Sequence, residues 1–201
     1  MATPASRPAT KDLFLDAAER LLVEVGYARI TTRAVAKEAG ANHGLVHYYF
    51  GSMDELFVQV FERFTQKLIE RQRSKYSADI PFTEKWRTAM GYLEEDLASG
   101  YQKVWLELQA LAWNNPDLRD RVKQVNGEWR AVLTDAISQA AKEYDLDTRS
   151  FPVEAITSLV MTFNIGMILE RHSGVSDGHP VLLDAIDSWL ESLERRREEP
   201  R

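Results

Sequence analysis

The stretch TTRAVAKEAGANHGLVHYYF, residues 31–50, decides how the rest of the chain reads. Its spacing predicts two short helices with a sharp turn between them. Thr31 is the expected cap of the first, because its hydroxyl oxygen can accept from the free amides that open a helix. Val35, Ala36 and Ala39 then form one small apolar face. Gly40 ends this helix, since glycine enters the left-handed conformation past a helix end without a steric penalty. Asn42 is the expected cap of a second helix running through His43, Leu45, Val46, Tyr48 and Tyr49 to Phe50. Two helices joined by about three residues with a glycine in the turn make a helix-turn-helix, whose second helix fits the major groove of DNA.

Upstream, helix 1 is expected from about Lys11 to Val25 with Thr10 as its cap. Leu13, Phe14, Ala17, Ala18, Leu21, Leu22 and Val25 form its continuous apolar face. Gly26 stops it, and Tyr27 and Ile30 are expected to pack under the motif. Downstream, Ser52 and Glu55 have the spacing of a capping box. They launch a long helix 4 to about Tyr76, with Leu56, Phe57, Val60, Phe61, Phe64, Leu68 and Ile69 on one side. Further helices are expected over about 83–98, 102–113, 116–144, 152–172 and 181–197. Gly127 marks a kink or a close packing point within the seventh. The fold class is all-α, about nine helices. Residues 1–9 read as a flexible arm with Arg7, 10–52 as the DNA-binding domain, and 53–201 as a ligand-binding and dimerisation domain.

Composition narrows the function classes. The 201 residues contain no cysteine, which excludes disulfides, thiolate zinc sites and cysteine nucleophiles. The N-terminus lacks the apolar core of a signal peptide. The apolar run Leu159 to Leu169, broken by Thr162 and Asn164, is too short to span a bilayer. The expectation is a cytoplasmic protein with no membrane partner. A net charge of −6 looks wrong for a DNA binder, but it is unevenly spread. Residues 1–52 hold six basic and five acidic side chains, a net of +1, which leaves −7 for the remainder. The part that must face phosphate is the less acidic one.

The Thr31-Thr32 start, the Val35-Ala36 pair, the Ala39-Gly40 turn, Gly44, Val46 and Tyr48-Tyr49-Phe50 together resemble the TetR family of bacterial transcriptional repressors. Ser52-Met53-Asp54-Glu55-Leu56 is similar to that family's start of the next helix. The resemblance covers roughly residues 10–60 and is specific as a set. It favours a base contact for Arg33, whose guanidinium can pair in two bonds with guanine or with a phosphate. Thr31 and Thr32 are expected at phosphate through hydroxyls and helix-start amides. Asn42, His43, Gly44 and Leu45 open the recognition helix. Gly44 costs about 1 kcal/mol of helix stability relative to alanine, consistent with close approach of DNA. Leu45 lies where the family often reads a base, and an apolar side chain there suits a thymine methyl. His47 and Tyr48 are further base or phosphate candidates, and Tyr49 fits a phosphate contact. The family often carries lysine where His43 and Met53 stand and tyrosine at His47, so this chain has fewer fixed charges toward phosphate.

Four of the five tryptophans lie within residues 86–129. Four large rings in one bundle are hard to pack without voids, and ligand sites are lined by aromatic and apolar groups with a few polar ones. The resemblance adds that family members usually bind a small molecule in this domain. The expected lining is Trp86, Trp105, Leu108, Trp113, Trp129 and Phe163, with Glu107, Gln109, Asn126 and Asn164 orienting a polar group. The ligand is expected to be largely apolar or aromatic.

Helix 8 is apolar nearly all round, so it must be covered on both sides. Ile156, Leu159, Val160 and Met167, with Leu182, Leu183, Ile186, Trp189, Leu190 and Leu193 of helix 9, fit a four-helix interface between two copies, an arrangement the family also uses. A twofold dimer requires a near-palindromic DNA site. Motifs for phosphate loops, nucleophile elbows and zinc sites are missing, so neither an enzyme nor a cofactor is expected. The expected function is a homodimeric repressor released from its operator by a small effector. The alternative is an apolar-ligand carrier or interaction module without operator binding.

Overall fold

The computed structural model describes residues 9–198, so the expected arm lies outside the described residues except for Ala9. Within them are nine α-helices, one 3-10 turn and no strand. The helices are α1 Thr10–Val25, α2 Thr32–Glu38, α3 Gly44–Phe50, α4 Met53–Tyr76, α5 Phe82–Ala98, α6 Tyr101–Leu111, α7 Pro116–Glu143, α8 Val153–His172 and α9 His179–Glu198. The 3-10 turn, Tyr27–Arg29, was not foreseen. The chain is all-α, with an N-terminal helix-turn-helix and a helical C-terminal part.

Some local expectations shift. Thr10 is the first residue inside α1, and Ala9 holds the cap position without a side-chain bond. Ser52 Oγ does accept from the Glu55 amide at 3.1 Å. Glu55 does not complete the box, because its carboxylate accepts from Gln59 and from Arg121 instead. Gly127 is exposed, α7 runs through it, and a methyl group there would meet nothing within 4 Å.

Contacts divide the chain into two compact units. The first contains the residues up to Gln66 together with Ser99–Val122. The second contains Lys67–Ala98 and the described residues from Lys123 onward. The expected division at residues 52 and 53 thus differs from the one the contacts make. Half of α4, all of α6 and the start of α7 go with the helix-turn-helix. Long-range polar ties explain this. Arg63 of α4 bonds Asp16 and Glu19 of α1, each at 2.7 Å. Tyr101 of α6 donates to Glu19 at 2.8 Å. Arg121 of α7 clasps Glu62 and Glu55 of α4. Apolar burial accompanies them: Phe14, Leu22, Val35, Val46, Leu56, Phe57, Phe61, Val104 and Leu108 are all inaccessible or nearly so. Each such side chain contributes about 1.5–3 kcal/mol of transfer free energy.

The Arg121 clasp makes a pH prediction. Desolvation pushes the Glu55 carboxyl up, but the bonds and charge of Gln59 and Arg121 outweigh it and hold the group below its ordinary value. A depressed acid contributes stability that is complete above its unfolded-state value and is lost as pH falls through the folded-state value. Glu55→Gln is therefore expected to flatten the acid limb of the melting-temperature profile below about pH 5, the ordinary glutamate range. An acid limb as steep as that of the wild type would remove Glu55 from the account.

In the second unit, Ile69, Tyr76, Ala89, Val132, Leu133 and Ala136 form one buried cluster, flanked by Trp129, Val160 and Met161. Burial lifts the Tyr76 phenol to about 12. Trp86, Leu190 and Leu193 form another, flanked by Tyr144, Phe163, Leu183 and Ile186. Phe82 and Met90 pack against both. Arg87 of α5 grips Asp187 through two 2.8 Å bonds and reaches Glu191, which holds α5 to α9. The 20-residue α8 reaches a mean hydropathy of 1.4, long and apolar enough by composition to cross a bilayer, contrary to the expectation from its apolar run. One face of it is nonetheless committed inward through Thr157, Met167 and Ile168.

Candidate nucleic-acid interface

Three short elements set the geometry. The Ala34 amide donates to Thr31 Oγ1 at 3.2 Å, so Thr31 caps α2 with an extended backbone at φ −117°. Gly40 follows with φ +64°, the left-handed conformation the turn needs. Asn42 Oδ1 then accepts from the Gly44 amide at 2.9 Å. Asn42 thus serves the start of α3 from just outside it, while His43 stands at the cap position. Val35, Ala36, Val46 and Phe50 are buried, and Phe14 packs edge-on against Phe50 at 6.2 Å. The two helices therefore turn their other sides outward.

On that outer side the structure leaves Thr31, Arg33, Asn42, His43, Gly44, His47 and Tyr48 exposed, and Thr32, Leu45 and Tyr49 half-buried. Arg33 makes no ion pair with a described residue. The nearby carboxylate of Glu38 is paired with Arg20 at 2.8 Å and does not oppose a polyanion in full. Tyr48 is 78% exposed, with its ring edge-on to Tyr49 at 5.1 Å. Tyr49 in turn leans on Phe14 at 6.2 Å, so its ring is anchored. His47 Nδ1 lies 3.1 Å from the Gly51 carbonyl, which directs its other ring nitrogen away from that carbonyl. An added Cβ at Gly44 would meet only Asn42 Oδ1, at an ordinary 3.4 Å. Packing within the chain does not demand glycine there.

The Thr31 cap can be tested by itself. Thr31→Ala is expected to cost about 1 kcal/mol of stability through the lost cap, and Thr31→Ser to retain most of it. Melting curves of the two variants check this. If both melt as the wild type does, the cap carries no weight.

The ten residues expected to line an effector site do not lie in one unit. Trp86, Asn126, Trp129, Phe163 and Asn164 belong to the second unit, and Trp105, Glu107, Leu108, Gln109 and Trp113 to the first. Three of the latter are otherwise engaged or placed. Leu108 is core. Glu107 accepts from the Tyr27 amide at 2.8 Å. Trp113 is 74% exposed at the end of α6. In the second unit Trp86 is buried, while Trp129 and Phe163 are half-buried against the two clusters. The Asn164 side-chain oxygen is buried with no hydrogen-bond partner.

The ten expected interface residues also separate. Met167, Leu190 and Leu193 are buried in the chain's own interior, where helical periodicity alone had put them on a shared face. Val160, Leu183 and Ile186 flank the two clusters, and Ile156 is half-buried. Leu159, Leu182 and Trp189 stand exposed, joined by Ile165, Leu169 and Val181.

A capped helix-turn-helix with an outward polar and aromatic face, carried on an all-helical chain, is the architecture of a helix-turn-helix regulator. Residues 14–60 match the family model described as bacterial regulatory proteins, tetR family. A helix-turn-helix-type transcriptional regulator of Mycobacterium tuberculosis is 25% identical over 150 residues, 73% of this chain and 75% of its own length. The fatty acid metabolism regulator protein of Bacillus subtilis is 22% identical over 139 residues, covering 67% of this chain and 72% of that protein. The crystal structure of the transcriptional regulator FadR from Bacillus subtilis, in complex with stearoyl-CoA, superposes with a TM-score of 0.69 at 17% identity, covering 94% of this chain and 99% of that one. The N-terminal part of this chain, residues 14–60, thus carries the tetR-family pattern, and the chain is similar along most of its length to transcriptional regulators.

Proposed function

We propose that this chain is a homodimeric repressor, released from a near-palindromic operator by a small, largely apolar or aromatic effector in the cytoplasm. The observation that carries the reading is the outward face of α2 and α3, where Arg33, His43, His47 and Tyr48 are exposed and Arg33 has no acidic partner among the described residues. Gly44 supports it, because no neighbour in the chain requires glycine there and close approach of DNA does. The reading of the effector rests on the aromatic interior of the second unit and on the buried, unpartnered oxygen of Asn164, which suits a donor on the ligand. The Bacillus subtilis neighbour was solved in complex with stearoyl-CoA, whose stearoyl chain is apolar. Ligand and DNA then weaken each other by the same factor.

Selection of bound duplexes from a random library, followed by anisotropy titration at two salt concentrations, tests the reading. A near-palindromic winner with strongly salt-dependent affinity is expected. A folded, dimeric protein that enriches no duplex would instead point to an apolar-ligand carrier.

A further inference from the structure

We propose that Glu107 is a positioning residue for DNA binding, acting by holding the entry to the helix-turn-helix. The proposal rests on the operator reading above. Glu107 lies on α6, far outside the motif, yet its Oε2 accepts from the Tyr27 amide at 2.8 Å across 80 residues of sequence. A carboxylate on a backbone amide is a charge-assisted bond, stronger than a neutral one. The preceding residue is shaped to admit it. Gly26 has φ +75°, and a Cβ there would lie 3.0 Å from Glu107 Oε1. The other charged group beside the carboxylate is Lys103, 4.0 Å away.

Tyr27 is held at two more points. Its phenol donates to Asp54 at the start of α4, at 3.2 Å, and its ring packs edge-on against Phe57 at 5.0 Å. Burial and the Asp54 carboxylate both raise its phenol above the ordinary tyrosine range. From Tyr27 the chain makes a single 3-10 turn, closed by bonds from Arg29 to Gly26 and from Ile30 to Tyr27, and arrives at the Thr31 cap. Little slack separates the anchored amide from Arg33. α6 is itself fixed to α1, through Tyr101 on Glu19 and through Gly100, where a Cβ would sit 3.0 Å from Val23. The carboxylate is thus a rigid peg. Losing it frees the segment that aims α2.

The test uses the full chain and the selected duplex. Glu107→Ala is expected to bind about tenfold more weakly, the scale of one charged hydrogen bond, with an unchanged salt slope and faster hydrogen exchange at the Tyr27 amide. Glu107→Asp keeps the charge but falls a methylene short, and is expected to follow the alanine variant. Glu107→Gln keeps an oxygen acceptor at the right reach and is expected to stay within about threefold of the wild type. Val104→Ala, a core change on the same helix, is expected to lower the melting temperature and leave affinity intact at temperatures well below it. Wild-type affinity in the alanine and aspartate variants, or an equal loss in Val104→Ala, would overturn the proposal while leaving the operator reading in place. A wild type that enriches no duplex would end both.

Discussion

Replacing Arg33 and Tyr48 together by alanine is expected to abolish sequence-specific binding while the protein stays folded. Both side chains lie on the exposed face of the motif, and neither supports the core. Exposed substitutions of this kind shift stability by about 0.5 kcal/mol or less, so circular dichroism and melting temperature should stay close to wild type. The effect on DNA is of another order. A good arginine contact to a base discriminates by roughly 1–3 kcal/mol, and a twofold dimer makes each contact twice. The expected loss is about a hundredfold or more. The salt dependence separates the two roles open to Arg33. If Arg33 reads a base, Arg33→Ala alone lowers affinity for the selected duplex and spares non-specific binding. If it holds a phosphate, affinity falls for all sequences and the salt slope drops by about one per head. A double variant that binds its operator as tightly as the wild type would remove this face from the mechanism.

The second large effect is expected at α8 and α9. Leu159 is 59% exposed, Trp189 52% and Leu182 44%, alongside Ile165, Leu169 and Val181. Monomeric proteins rarely leave so many large apolar groups in water. The opposite sides of both helices are already used inward, by Met167 and Ile168 on α8 and by Leu190 and Leu193 on α9. On the homodimer proposed above, a second copy of the same face would cover the exposed side, because a twofold contact is self-complementary. Leu159→Glu combined with Trp189→Glu places four carboxylates in that interface per dimer. Sedimentation is expected to show a folded monomer, and operator affinity is expected to collapse with the loss of paired heads. A double variant that remains dimeric would place the interface elsewhere. Leu190→Ala should behave differently, since Leu190 packs on Trp86 within its own subunit, and it is expected to lower the melting temperature without selectively dissociating the dimer.

Where the two kinds of information part company follows from range. Residues 31–56 spelled out their helices because caps, left-handed glycines and apolar spacing act between near neighbours. Thr31 on Ala34, Gly40 at φ +64° and Ser52 on Glu55 each involve residues within one turn. The all-α class and the helix order were legible for the same reason. The partner of a side chain across the fold was not. Glu107 read as a ligand contact, but it meets a backbone amide 80 positions away, and Glu55 abandons its capping box for Arg121. Amphipathic spacing told which residues of α9 avoid water, yet could not tell Leu190, buried by its own subunit, from Trp189, left exposed. The sequence alone determined the helices and the DNA-reading motif through local chemistry. Only the tertiary structure decided which apolar and charged groups are already used within the chain, because that depends on what folding brings beside them.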